Sequence, residues 1–331
     1  MAAPIGTDAV LAKSYTYVRV SMVGVLALLA AAVGRQIAAD GEILTSISAY
    51  YYTPAQAVFV ASLFSFGVCM LALQGTTRTE DVLLNLGGML ATVVALVPTS
   101  RGVDHEEAVA ACRAAGGYVD GIDCPSVGAL EQTAEANIAN NVWALLAVGG
   151  LGLVVAFVLA GKPWAERSRT YRLGYGAAWL LYLFGLVSFA FFRQGFIDRA
   201  HWVAAVGLFL CIVAVAVSNA LRVAEHRPAP EAGLLERGRT ALRVGLSPRQ
   251  RYPAIALAMV GVGVVEGLLV LTDVLTLFWL EASLIALFAV FWIAQTAEWW
   301  RYRLPGPGEE LPPVSPPAGP PAGAASRRAR R

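Results

Sequence analysis

The chain has 331 residues, of which 57% are hydrophobic and only 15% charged, with a net charge of +2. Several apolar runs reach membrane-spanning length and are apolar all round instead of along one stripe, which excludes an ordinary soluble domain and a disordered chain. A nucleic-acid partner is excluded as well, because the arginine-rich stretches are loops between spans, where they act as determinants of membrane orientation.

Residues 1–17 form a short exposed N-terminus carrying Lys13. A first span is expected over Val18–Ala38, with an apolar stretch Val20–Val33 between Arg19 and Arg35, and Arg35 can snorkel to the outer interface. Lys13, Arg19 and the small pair Ala38–Ala39 also fit a signal peptide, so cleavage of this span is the rival reading. Ser46–Gln56 then sets Tyr50, Tyr51 and Tyr52 in a row at a membrane entry, either as an aromatic belt or as a polar lid or pocket wall. The second span is Ala55–Leu73. The third, Val82–Val97, carries Gly87–Gly88, small residues that let helix backbones approach closely.

Residues 99–140 make the long acidic loop. Within it DHEEAVAACRAAGG predicts a short helix with Asp104 as its N-cap and Gly116–Gly117 as its stop. Cys112 and Cys124 both fall here and are expected to form a disulfide on an oxidising face, two free thiols being the alternative. Cys69 and Cys211 lie inside spans as small apolar residues. Spans four to six are Val142–Ala160, Leu173–Phe192 and His201 to about Leu221; the last two are joined by a segment holding Arg193, Asp198 and Arg199. The segments 161–172 and 222–251 are rich in arginine.

Spans seven and eight are the hairpin Pro253–Trp300, turning at Thr272–Asp273. Each arm carries one carboxylate, Glu266 and Glu281, both ~9–12 Å below the turn at 1.5 Å per residue. Gly263, Glu266 and Gly267 share one helical face, which is expected to pack on another helix. Glu266 then points into the bundle, hydrogen-bonded to a neighbour, paired with Arg35 or Arg193, or acting as a proton- or ligand-binding acid. Facing each other, the two glutamates would titrate as a coupled pair. Residues 301–331 form a proline-rich, basic tail expected to be disordered, ending in RRARR, which anionic headgroups would attract.

Eight spans place both termini on one side together with every Arg-rich segment, and the cysteine loop on the other. The positive-inside rule makes the first side cytoplasmic. The stretches SISAYYYTPAQAVFVASLFSFGVCMLAL, TEDVLLNLGGMLATVVALVPTS, HWVAAVGLFLCIVAV and LFWLEASLIALFAVFW resemble those of a group of uncharacterised bacterial multi-pass membrane proteins, a likeness that carries no activity. A second comparison is with the seven-span metal hydrolases that include alkaline ceramidases. They build a zinc site from several histidines, and here His226 is placed on the cytoplasmic side while His105 and His201 are outside, so that site is not expected.

The reading is thus an all-α, eight-helix membrane bundle in a bacterial plasma membrane. Its outer half gathers Arg35, Tyr50, Tyr51, Tyr52, Arg193, Asp198, His201, Glu266 and Glu281, which suggests a polar pocket open to the outside. The expected function is binding or transport of a small ligand or lipid, optionally proton-linked, with a non-enzymatic role favoured over an enzymatic one. A structural or accessory membrane subunit and an intramembrane lipid-modifying enzyme are the alternatives. No cofactor or metal is expected; the partners are membrane lipids and a small-molecule ligand, with oligomeric state left open.

Overall fold

The computed structural model describes residues 7–75, 77–99, 103–159, 161, 164–225 and 251–303. Most of the Arg-rich loop 222–251, with His226, and the tail from 304 onward lie outside the described residues. Nine α-helices are present among them. They are α1 (Thr7–Asp40), α2 (Gln56–Ala72), α3 (Arg78–Leu96), α4 (Val103–Ala114) and α5 (Cys124–Leu159), followed by α6 (Arg169–Phe191), α7 (Arg193–Glu225), α8 (Arg251–Leu271) and α9 (Leu277–Arg303). A six-residue 3₁₀ turn, Ile47–Tyr52, follows α1.

Seven of these helices are long and apolar enough to cross a membrane. The expected second span is shorter: α2 has 17 residues, ~26 Å at 1.5 Å per residue against a hydrocarbon core of ~30 Å. The 3₁₀ turn takes up the chain before it, and extended backbone at Leu73 (φ −84°, ψ 130°) ends it.

Side-chain and backbone contacts show how the helices run. The Tyr15 hydroxyl near the start of α1 donates to the Gln74 carbonyl just past the end of α2 (2.8 Å). His201, near the start of α7, reaches the carbonyl of Val97 just past the end of α3. Thus one end of the bundle collects the starts of α1 and α3 and the ends of α2 and α9; the opposite end collects the ends of α1 and α3 and the starts of α2, α7 and α9. Packing runs α1–α2–α3–α7–α8–α9 and back to α1, closing a ring of six, while α5 and α6 lean on α3 and α7 from outside. Met22, Phe59, Met70, Ala91, Val215, Phe288 and Phe291 fill the ring. Outside it, Leu151, Val158, Leu180, Phe184 and Leu268 are exposed, an apolar belt that in water would be an aggregation surface and in lipid is ordinary.

Close approach within the ring depends on glycine at one crossing. A Cβ on Gly88 would meet the Gly67 carbonyl oxygen at 2.7 Å, and one on Gly67 would meet the Gly88 oxygen at 2.8 Å, so α2 and α3 touch backbone to backbone. Thr77 caps α3, its Oγ1 accepting from the Glu80 N–H at 3.1 Å, the first half of a T-x-x-E capping box.

Three expectations need correction. The face of α8 bearing Gly263 and Gly267 turns toward α9, where Glu266 meets Ser283, but the glycines are not a tight crossing point, since a Cβ at either meets nothing within 4 Å. Small residues permit an approach but do not drive one; α8 is anchored instead by Ala256 and Met259 in its first half. The expected loop ahead of the fourth span is helical from Cys124, because Asp123 caps it, Oδ1 accepting from the Ser126 backbone N–H at 3.5 Å and Oδ2 from its hydroxyl, and an alanine-rich run follows. The segment between spans five and six is likewise helical from Arg193, so α6 and α7 meet at the single residue Phe192. The short helix in the acidic loop is present as α4; beyond it Gly116 (φ 67°) and Gly117 (φ 96°) take left-handed backbone, and Gly117 N–H bonds the Cys112 carbonyl at 2.7 Å. Cys112 and Cys124 are disulfide-bonded, with Cα atoms 5.6 Å apart.

Candidate functional site

At the end of the ring that carries the disulfide, the 3₁₀ turn is folded inward by two reciprocal bonds to α9. Phe278 N–H, in the unsatisfied first turn of α9, donates to the Thr45 carbonyl at 2.8 Å. One turn on, Glu281 accepts from the backbone N–H of Ile47 at 2.7 Å, with the Ser48 N–H also bonded to its carboxylate. A carboxylate belongs at such an end: it satisfies amides that the turn cannot satisfy itself and faces the positive end of the local dipole. Ser46 completes the cap, its Oγ accepting from Ala49 N–H at 3.1 Å.

The next residue, Ser48, meets His201. Its Oγ is 2.8 Å from His201 Nε2, while His201 Nδ1 is 2.6 Å from the carbonyl oxygen of Val97. A carbonyl only accepts, so Nδ1 carries the proton and donates; in the neutral imidazole Nε2 is then the acceptor for the serine hydroxyl. Ser48, His201 and Glu281 are all buried, at 6%, 3% and 6% exposure.

These groups stand over a cavity of about 40 Å³ at the axis of the ring, room for about three water-sized groups. Its walls are apolar, among them Leu26, Phe59, Phe66, Leu208 and Phe288, and Ser48 and Glu281 are the lining residues with polar side chains. His201 sits behind Ser48.

The other candidates fall into place around this centre. Tyr50 and Tyr51 are buried; Tyr50 Oη accepts from Leu44 N–H at 3.2 Å, and Tyr51 packs edge-on against Phe59. The Tyr52 hydroxyl donates to the Thr99 carbonyl. The three tyrosines therefore buttress the turn from within the protein, and none lines the cavity. Arg35, Arg193 and Asp198 are exposed; Arg193 lies over the Phe189 ring at 5.5 Å, and Asp198 accepts from Gln194 at 3.2 Å. Glu266 Oε1 accepts from the Ser283 hydroxyl at 3.1 Å, not from Arg35 or Arg193. Positions 281 and 283 lie about 200° apart around a helix of 3.6 residues per turn. The two glutamates thus engage different sides of α9: they match in depth but not in direction.

A second polar cluster, at the opposite end of the ring, has no signature in the sequence. Arg19 is 2% exposed. Its Nε donates to Thr296 Oγ1 (3.3 Å), its Nη1 to the Tyr15 hydroxyl (2.9 Å) and its Nη2 to Gln295 Oε1, and the guanidinium stacks 4.4 Å from the Trp292 ring centre. Gln295 Nε2 in turn donates to buried Glu80 (3.3 Å), so one amide bridges opposite charges from α1 and α3. Every donor nitrogen of Arg19 is engaged with the protein, which makes this a clasp and not an open site. No protein-family model matches the chain, and no curated protein or solved structure matches it.

Proposed function

We propose that the chain is an eight-span plasma-membrane protein with both termini in the cytoplasm, whose cavity opens to the outer face and binds a small ligand or the short end of a lipid. The alternating run of the helices supports the orientation, because it brings the segments carrying Lys13 and Arg167–Arg172 to one end and the disulfide loop to the other. For α2, a 17-residue helix spans by thinning the bilayer locally or by burial in the ring, a modest cost. The observation that carries the binding reading is the cavity itself: an almost wholly apolar enclosure with Ser48 and Glu281 at its edge is the composition of a site that seats a small apolar body. The cavity admits only a few non-hydrogen atoms as it stands.

The test is ligand-dependent stability of the chain in nanodiscs, with acetamide, ethanol and ethyl acetate as probes. A ligand at ten times its Kd stabilises by ~1.4 kcal/mol. At least one probe is expected to raise Tm in the native chain and not in Ala205→Val, whose two added methyl groups fill most of the cavity. Equal responses in both, or none in either, contradict the reading.

A further inference from the structure

The contact between Ser48 and His201 reaches beyond ligand binding, to a chemistry that depends on the cavity being the site. We infer that Ser48 is a nucleophile activated by His201, and that the cavity hydrolyses an ester of an acetyl-sized acyl group at the outer membrane face.

Three observations converge. First, the tautomer is set by geometry: with Nδ1–H committed to the Val97 carbonyl at 2.6 Å, Nε2 presents a lone pair to a hydroxyl 2.8 Å away, the arrangement in which a neutral imidazole takes a serine proton. The backbone carbonyl does the orienting that a carboxylate does in other serine–histidine pairs. Second, access is one-sided. Ser48 lines the cavity and His201 stands directly behind it, so an acyl group joined to Ser48 Oγ brings its leaving oxygen, and later the attacking water, up to Nε2. Third, size and depth select the substrate. About 40 Å³ holds an acetyl group and not a long chain. The start of α9 lies four residues from Glu281, ~6 Å along the helix, which sets the cavity's polar end near the membrane surface, within reach of an ester on an amphiphile or on a saccharide outside.

The steps balance without an oxidant or a metal. Ser48 Oγ bonds to the acyl carbon as its proton passes to Nε2, and the C–O bond to the alcohol breaks with that proton leaving on the alcohol oxygen. Water then attacks the acyl-serine, giving a proton to Nε2, which returns it to Ser48 Oγ as the carboxylic acid departs. Ester and water become acid and alcohol. Glu281 is a positioning residue here: it holds the Ile47–Ser48 backbone through its N–H bonds.

The experiment treats the full chain in nanodiscs with a fluorophosphonate carrying a short alkyl group, alongside a soluble serine hydrolase in the same preparation, and reads the adduct by peptide mass spectrometry. The adduct is expected on Ser48, abolished in Ser48→Ala and reduced at least tenfold in His201→Gln of unchanged Tm. In the native chain 4-nitrophenyl acetate should turn over at least tenfold faster than the octanoate, and Ser48→Ala should lose that turnover. A native chain unlabelled at Ser48 while the control labels, or His201→Gln labelled as fast as the native chain, overturns the inference. If probe-dependent stabilisation persists in the unlabelled chain, the nucleophile alone is wrong; if it is absent too, the binding reading falls with it.

Discussion

Glu281 on α9 and Ile47 in the 3₁₀ turn are joined by a 2.7 Å hydrogen bond from the turn's backbone N–H to the carboxylate, across 234 residues of sequence. The bond fixes where the turn sits, and with it Ser48, over the ring axis. Glu281→Gln keeps an acceptor of the same shape and is expected to cost under ~1 kcal/mol, whereas Glu281→Leu strands the Ile47 and Ser48 amides and should cost ~1–3 kcal/mol or more. Reversible denaturation in mixed micelles, read by tryptophan fluorescence, separates the two; equal losses would mean the bond does not hold the turn.

Arg19 and Glu80 should behave as one unit through Gln295. Arg19→Met removes one side of a buried charge balance and is expected to cost ~3–5 kcal/mol. The double change with Glu80→Gln should cost less than the two single losses added, by about 0.5 kcal/mol or more, as expected for coupled neighbours. Strict additivity in the same denaturation assay would show that the clasp is not a network.

Two glycines give opposite expectations. Gly88→Ala forces the α2–α3 backbones apart at a 2.7 Å contact and should destabilise by ~1–3 kcal/mol. Gly263→Ala meets nothing within 4 Å and should be neutral or stabilising by up to ~1 kcal/mol. A reversal of that order, measured as Tm, would contradict the packing described for α2 and α8.

The features legible in the sequence are those set by near neighbours in the chain. The apolar runs, the glycine stop after α4 and the pairing of Cys112 with Cys124 are of this kind. The matched depth of Glu266 and Glu281 is legible too, since rise per residue is constant. Their directions are not: Glu281 turns to the 3₁₀ turn while Ser283, two residues on, receives Glu266. The Ser48–His201 contact spans 153 residues and has no spacing signature. Arg19 reads in the sequence only as the edge of the first apolar stretch, because its partners, Gln295 and Thr296, sit on the last helix.

Orientation is tested from the loops. A cysteine replacing Ser168, the N-cap of α6, is expected to react in intact cells with a membrane-permeant maleimide and not with an impermeant one. Labelling by the impermeant reagent would invert the proposed topology.

The cavity's sidedness is the central claim, and Ser48→Cys in a background of Cys69→Ala and Cys211→Ala tests it most directly. Silver ion is an impermeant thiophile of nearly the size of a water molecule. Applied outside intact cells, it is expected to block later alkylation of the cysteine at position 48 in the denatured protein, and acetamide should slow the block. Protection only when silver reaches the cytoplasmic face, or no protection from either side, would contradict an outward-facing site at Ser48.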